Sequence, residues 1–188
     1  YTSQYTLSLH DALPISADVD AVTDMWVALA AGQREHGATL RAEANRATVR
    51  EWVAQSVVTG DLLVARDPGD RRAADGDETG PVGFVGFSLE RGDYERDAVR
   101  GTVSNLFVVP ERRGEGIGAA LLDAAERELA EAGADRVALE ALTGNDRARE
   151  FYADRGYEPH RVELTKSLGD SAGESPGAES ADATDESD

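Results

Sequence analysis

The segment R-R-G-E-G-I-G, residues 112–118, brings two arginines and three glycines into one short loop. It follows an apolar run, 104–109, whose β-branched and aromatic residues predict a buried strand that Pro110 ends. An apolar helical pattern begins near Gly116. A strand, a glycine-rich turn and a helix N-terminus together form an anion site, because backbone N–H groups are available there and the helix dipole favours negative charge. We therefore expect a phosphorylated ligand at 113–118, with a tight turn that binds nothing as the alternative.

The glycine spacing excludes two common phosphate-binding loops. G-E-G-I-G is not G-x-G-x-x-G, and no G-K-S or G-K-T follows it. Neither a dinucleotide-binding fold nor a P-loop NTPase is therefore supported.

A second patterned segment lies downstream, where Asn145 to Tyr157 form N-x-x-A-x-x-F-Y-x-x-x-G-Y. With R-x-x-G-x-G at 113–118, it resembles the acyl-CoA-binding motifs of the GNAT superfamily of N-acyltransferases. The resemblance covers about residues 17–168 and is firmest from Val103 to Tyr157. It implies an α+β, three-layer GNAT fold, with a mixed, mostly antiparallel sheet, one parallel pair splayed at the cofactor site, and helices on both faces.

The resemblance also implies acetyl-CoA as co-substrate and no metal. Its pyrophosphate would bind the N–H groups of 113–118, and its pantetheine arm would run along the central strand like an added strand. The N–H of Val108 would polarise the acetyl oxygen. The expected cofactor-binding residues are Phe107, Val108, Val109, Arg112, Arg113, Gly114, Glu115, Gly116, Ile117, Gly118, Asn145 and Tyr152. Free backbone groups are expected on Phe107, Val108 and Val109.

Tyr152 matches the tyrosine that, in the family, protonates the departing thiolate as a general acid. The alternative is a tyrosine packed on an amphipathic helix with its hydroxyl in water. Asn145 has two compatible interpretations, a helix cap and a cofactor contact. Phe151 and Tyr157 are expected in the core.

The general base is less clearly marked. Many relatives carry a glutamate just before the central Leu-x-Val, but here Ser104 and Asn105 stand there, and neither is a base. Glu140, on the predicted parallel strand, is the first candidate. Glu35 and His36, between the first two helices, are further candidates for the base and for contact with the acceptor substrate. A chain of ordered water also stays open.

These residues predict an N-acetyltransferase that moves an acetyl group from acetyl-CoA to a primary amine by direct attack in a ternary complex. The acceptor would be a small amine or a peptide N-terminus. The absence of cysteine excludes a cysteine nucleophile, and the scattered His10, His36 and His160 make a metal site unexpected. The alternative is a non-catalytic acyl-CoA-binding or regulatory module, which Ser104 and Asn105 keep open.

The chain of 188 residues has 37 acidic and 19 basic residues, a net charge of −18, and Lys166 is its one lysine. Such a lysine-poor, acidic surface indicates adaptation to a high-salt cytoplasm in a halophile, with ordinary solubility as the alternative. The charge argues against nucleic acid and anionic membranes as partners, and no apolar run is long enough for a membrane span. The lack of cysteine fits a cytoplasmic setting.

Three segments are expected along the chain. Residues 1–16 resemble translated adapter sequence and are interpreted as non-native, with a genuine strand at 5–9 as the alternative. Residues 17–168 form the domain, and 169–188 an acidic disordered tail. If the first strand is lost, an exposed sheet edge could favour a homodimer, so the oligomeric state stays open.

The periodicity predicts the order α-α-β-β-β-α-β-α-β. Trp26 and Trp52 are expected in the core, with a place in the acceptor pocket as the alternative. The predicted helices are 18–32, 45–58, 116–132 and 146–155, and the predicted strands are 61–66, 81–89, 98–109, 136–141 and 162–167, with a glycine-rich loop at 67–80.

Overall fold

The computed structural model describes residues 12–66, 80–90 and 97–168. Within these ranges four α-helices and four strands follow one another in the order that the sequence predicts up to residue 153. The helices are α1 (Val19–Gln33), α2 (Arg46–Thr59), α3 (Ile117–Glu131) and α4 (Asp146–Ala153). The strands are β1 (Leu62–Arg66), β2 (Pro81–Leu89), β3 (Arg100–Val108) and β4 (Arg136–Leu139).

The described strands form one sheet in the order β1-β2-β3-β4. The β1–β2 and β2–β3 pairs are antiparallel, and β3–β4 is parallel because α3 crosses over between them. This arrangement confirms the predicted mixed sheet with one parallel pair. No helix of the described ranges has both the length and the apolarity that crossing a membrane requires.

A β-bulge interrupts β3 opposite the middle of β2. Gly86 pairs with Asn105 and Phe87 pairs with Val103, so Ser104 is the extra residue on β3. A bulge changes which side chains point to each face of the sheet beyond it. Ser104 and Asn105 therefore stand at an irregular point in the central strand, close to where pairing with β4 ends.

Two apolar clusters cover the two faces of the sheet. The α3 face packs buried α3 residues such as Leu121 against Val85 and Val103. The α1/α2 face packs buried residues of both first helices against Phe84 and Phe107. Trp26 and Trp52 are half-buried against this second cluster, in agreement with their predicted core position.

The last predicted strand, 162–167, is wrong: residues 161–168 are described and form no strand. Val162 and Leu164 are 73% and 89% exposed, so these apolar side chains are not buried although they alternate with polar residues. A strand needs a partner with free backbone groups along its length, and β4, the nearest one along the chain, has only four residues. The predictions for residues 5–9, most of the loop at 67–80, and the tail at 169–188 fall outside the described residues.

The chain before α1 is attached to the domain by a buried ion pair. Asp18, 4% exposed, accepts hydrogen bonds from both terminal nitrogens of Arg66 at 2.8 and 2.6 Å. The same carboxylate accepts from the N–H of Ile15 at 2.7 Å. Ala12 and Pro14 are buried as well, so part of the segment interpreted as non-native packs against the domain.

We expect Asp18→Ala to lower the free energy of unfolding by about 3 kcal/mol, because it removes a buried carboxylate that accepts from two nitrogens of Arg66 and from the N–H of Ile15. Urea unfolding followed by circular dichroism measures the change. Asp20→Ala is the matched control, since Asp20 pairs with Arg50 at 2.7 Å but is 76% exposed. It should cost no more than about 1 kcal/mol. Equal losses in the two variants would contradict this role of Asp18.

Candidate active site

The loop before α3 has the geometry of an anion-binding turn. Gly114 and Gly116 both have φ of +86°, a left-handed conformation that glycine adopts without a steric penalty, and Gly116 is the N-cap of α3. The first α3 hydrogen bond runs from Ala120 N to Gly116 O at 3.0 Å. The amides of Ile117 and Gly118 therefore precede the helical hydrogen bonds and lie at the positive end of the helix dipole.

The arginines of this loop contact protein groups. Arg112 forms an ion pair with Glu115 at 2.8 Å, so these two predicted cofactor residues partly neutralise each other. The Arg113 N–H donates to Pro110 O at 3.3 Å, and its Nε donates to Val108 O at 2.9 Å. A turn therefore already uses the backbone amide of Arg113, and the pyrophosphate anchor remains a prediction for the amides of 114–118.

The pairing of the parallel strands ends before β3 reaches this loop. Pairing between β3 and β4 ends at Val103 and Leu139, although β3 continues to Val108. We call the space beside 104–108 that β4 does not reach the strand gap. The resemblance predicts a splay between the parallel strands, and the strand gap is the part of β3 where that prediction applies.

Val108 directs its backbone groups into the strand gap. The N–H of Val109 donates to Val82 O on the β2 side at 2.9 Å. Successive residues of a strand direct these groups to opposite edges, so Phe107 also faces β2 and Val108 faces the strand gap. The prediction of free backbone groups is wrong for Phe107 and Val109, which belong to the β2–β3 ladder. At Val108 the carbonyl accepts from Arg113 Nε, so the prediction remains for the Val108 N–H alone.

Tyr152 lies on α4 and packs with the α3 cluster. The side chain of Asn145 caps α4 by accepting from Ala148 N at 3.1 Å, as predicted for a cap. An added Cβ at Gly118 would lie 3.7 Å from both Phe151 and Val108, so the aromatic end of α4 packs beside the loop and the end of β3. Tyr152 contacts the ring of Phe151 edge-to-face, with centroids 5.2 Å apart.

Burial raises the pKa of Tyr152 above its ordinary value of 10.0, so its phenol holds its proton at neutral pH. Tyr157 packs on it with ring centroids 5.8 Å apart and donates to Glu126 at 2.6 Å. Burial first, and then this hydrogen bond, raise the pKa of Tyr157 far above its usual range. The sequence did not reveal Glu126, since its partner is 31 residues away and α3 carries three glutamates.

The candidate bases occupy two places. Glu140 is exposed and follows Leu139 at the point where the strand gap begins, so its predicted place on the strand itself is wrong. Glu35 and His36 form an exposed turn after α1. His36 Nδ1 lies 3.0 Å from Gly144 O, which brings this turn against the loop before α4.

The His36 contact sets the hydrogen positions on its ring. A carbonyl oxygen only accepts, so Nδ1 carries the hydrogen, and Nε2 of the neutral ring is left as an acceptor. Among the residues that the structure describes, no group of three or more histidine, aspartate, glutamate or cysteine side chains could hold a metal ion.

Comparison with known proteins identifies the family. The sequence profile described as "Acetyltransferase (GNAT) family" matches residues 34–157, about two thirds of the chain. An aminoalkylphosphonate N-acetyltransferase of Salmonella typhimurium (strain LT2) is 37% identical over 68 residues, which cover 36% of this chain. The match spans only 44% of that relative's length.

Solved structures of acetyltransferases have a similar fold. A GCN5-related N-acetyltransferase from Ralstonia eutropha JMP134 is 26% identical, with a TM-score of 0.59 over 81% of this chain and 93% of its own. The NatC complex bound to Gag peptide and CoA, 17% identical, has a TM-score of 0.55 over 84% of each chain, a likeness of fold alone.

This chain belongs to the GNAT family of acetyltransferases. Its fold is the GNAT fold, with antiparallel strands, one parallel pair and flanking helices. Members of the family use acetyl-CoA and acetylate amines. The loop at 114–118 and the backbone of Val108 fit such a co-substrate, because they combine anion-binding amides with an unpaired strand edge.

We expect Gly116→Glu to weaken coenzyme A binding at least about tenfold, because it puts a carboxylate at the N-terminus of α3. Calorimetry in high salt measures the affinity. Gly133→Glu is the matched control, since Gly133 follows the C-terminus of the same helix with φ of +95° and no atom within 4 Å of an added Cβ. It introduces the same strain and charge away from the loop. Similar affinities in the two variants would contradict an anion site at α3.

Proposed function

We propose that this protein is an acetyl-CoA-dependent N-acetyltransferase that acetylates a primary amine by direct attack in a ternary complex. The observation that carries the proposal is the juxtaposition of three elements at the strand gap. The backbone of Val108 faces the gap, the loop at 114–118 lies at its end, and the helix that carries Tyr152 packs beside both.

The cofactor-binding residues divide by the part of the co-substrate that they would hold. The amides of 114–118 would bind the pyrophosphate, and the Val108 edge would pair with the pantetheine arm. Arg113 now donates to Val108 O, so that side chain would have to move for the carbonyl to pair with the arm. Arg112 would contribute beside Glu115 rather than as an isolated cation.

Bound acetyl-CoA supplies a thioester, whose C–S bond breaks as the amine forms a C–N bond. The Val108 N–H would polarise the acetyl oxygen. The Tyr152 hydroxyl would donate its proton to the departing thiolate, and burial, which raises the pKa of Tyr152, keeps this phenol protonated at neutral pH. The amine must lose one proton to a base.

Glu140 remains the first candidate for that base. Its carboxylate is exposed at the start of the strand gap and could accept the proton directly or through water. His36 is the second candidate, because its contact with Gly144 leaves Nε2 as an acceptor. Glu35 beside it would attract a cationic acceptor rather than take part in the chemistry.

The acceptor is a small primary amine or a peptide N-terminus. The Salmonella relative is named for aminoalkylphosphonates, which makes 2-aminoethylphosphonate the first acceptor to assay. The carboxylates of Glu35 and Glu140 favour an ammonium group by charge.

The second candidate function is a non-catalytic acyl-CoA-binding or regulatory module. It is favoured by Ser104 and Asn105, which stand where many relatives carry a glutamate. Coenzyme A binding without acetylation of any amine would support it.

We also infer the cellular setting from composition. The net charge of −18 with one lysine supports a cytoplasmic protein adapted to high salt, without nucleic acid or membrane partners. Homodimerisation remains open, and light scattering would decide it.

We expect Tyr152→Phe to lower kcat about 10²–10⁴-fold while coenzyme A binding is kept, because the thiolate then leaves unprotonated. Because the pKa is raised above 10.0, the wild type should lose no activity through Tyr152 ionisation below about pH 10. Stopped-time assays of free thiol across this pH range measure both effects.

Tyr157→Phe is the matched control. It removes the hydroxyl of the neighbouring ring, whose hydrogen bond goes to Glu126 rather than toward the strand gap. It should lower stability and leave kcat near that of the wild type. If Tyr152→Phe turns over at the wild-type rate, the assigned acid is wrong.

A further inference from the structure

We propose that Asn105 binds the acceptor amine through its side-chain carbonyl oxygen, and that Ser104 fixes the orientation of this amide. The proposal rests on the proposed N-acetyltransferase function. It assigns a group that binds the acceptor amine at the position where many relatives carry a glutamate. Both residues stand at this point of the chain, and neither can act as a base.

A chain of hydrogen bonds sets the direction of the Asn105 side chain. Ser104 Oγ lies 3.2 Å from Gly86 O, and a carbonyl oxygen only accepts, so the serine hydroxyl is the donor. Because its one hydrogen is used, Ser104 Oγ must act as acceptor in its other contact, with Asn105 Nδ2 at 3.2 Å. The amide nitrogen of Asn105 therefore faces Ser104, and Oδ1 points away as an acceptor.

Asn105 directly follows the bulge in β3, next to the strand gap. Pairing with β4 stops at Val103, one residue before Ser104, so Asn105 lies on the first part of β3 that β4 does not cover. Asn105 is half-buried, which leaves its amide accessible from solvent. Its backbone pairs with Gly86 of β2, and Val108 lies three residues further along the part of β3 that β4 does not reach.

Asn105 lies on the α1/α2 face, opposite the aromatic cluster that contains Tyr152. Its cross-strand partner is Gly86, and an added Cβ at Gly86 would lie 3.0 Å from the ring of Trp52 and 3.1 Å from Ser104 Oγ. A side chain at Gly86 would have to displace the indole or the serine hydroxyl by a few tenths of an ångström. The half-buried indole of Trp52 therefore forms an apolar surface beside the Ser104–Asn105 pair.

These groups fit a primary amine with a short organic chain. The neutral oxygen of Asn105 accepts a hydrogen bond from an ammonium or from a neutral amine, and the indole can cover an alkyl chain or a cation. A carboxylate in the same place would stabilise the ammonium and oppose its deprotonation. An amide orients the nitrogen without that effect, so the base can be a separate group.

The test measures amine binding to the protein saturated with free coenzyme A, which carries no acetyl group to transfer. The calorimetric probes are ethylamine and 2-aminoethylphosphonate. Asn105→Leu keeps the branched shape without polar atoms, and we expect amine binding at least about tenfold weaker, or about 1.4 kcal/mol. Coenzyme A binding should be unchanged, which also reports that the variant folds.

Ser104 is tested as a positioning residue. Ser104→Ala should raise the acceptor KM with little change in the acetyl-CoA KM, and Ser104→Thr, which keeps the hydroxyl, should restore it. Ser88→Ala is the matched control, because Ser88 is exposed on the neighbouring β2 strand and pairs with Thr102, before the bulge. It should bind and turn over like the wild type.

The outcomes separate the two proposals. Equal amine affinity in the wild type and Asn105→Leu, or acetylation with an unchanged acceptor KM, overturns the role of Asn105 and leaves the proposed function intact. Amine binding that depends on Asn105 without any acetylation keeps this inference and overturns the enzymatic function. If the wild type loaded with coenzyme A binds neither probe, the inference is wrong.

Discussion

The architecture of the site depends on one interruption in backbone hydrogen bonding. Backbone N–H and C=O groups in a sheet need partners, and β3 has them on its β4 side only as far as Val103. Beyond that point the edge facing the strand gap is left to side chains such as Arg113 and to ligands. The glycine loop, α3 and α4 pack around this interruption, so its position decides where an acyl chain can pair with the protein.

Much of this arrangement could be predicted because it follows from local pattern. Pro81–Leu89 forms the strand that its composition predicts, and α3 begins one residue after Gly116, near which its apolar helical pattern begins. The parallel β3–β4 pair follows from the helix between the strands. These features need only residue types and spacing within a short window.

The features that were missed depend on partners distant in the chain. The bulge at Ser104 arises from register with Gly86, and no residue type marks it. Tyr157 and Glu126, or His36 and Gly144, are joined only after folding. The strand expected at 162–167 did not form, although its apolar and polar residues alternate. Alternation alone makes no strand where the described sheet offers these residues no pairing partner.

The sheet also divides the site between its two faces. Phe151, Tyr152 and Tyr157 pack with the α3 cluster, whereas Trp52, Ser104 and Asn105 lie on the α1/α2 face. The proposed acid and the proposed acceptor contact therefore lie on opposite faces of the sheet, with β3 between them. An evolutionary consequence follows: substitutions under the first two helices can retune acceptor choice without disturbing the packing that holds the acid. A lineage could thus exchange one substrate for another by small steps while its donor chemistry stays constant.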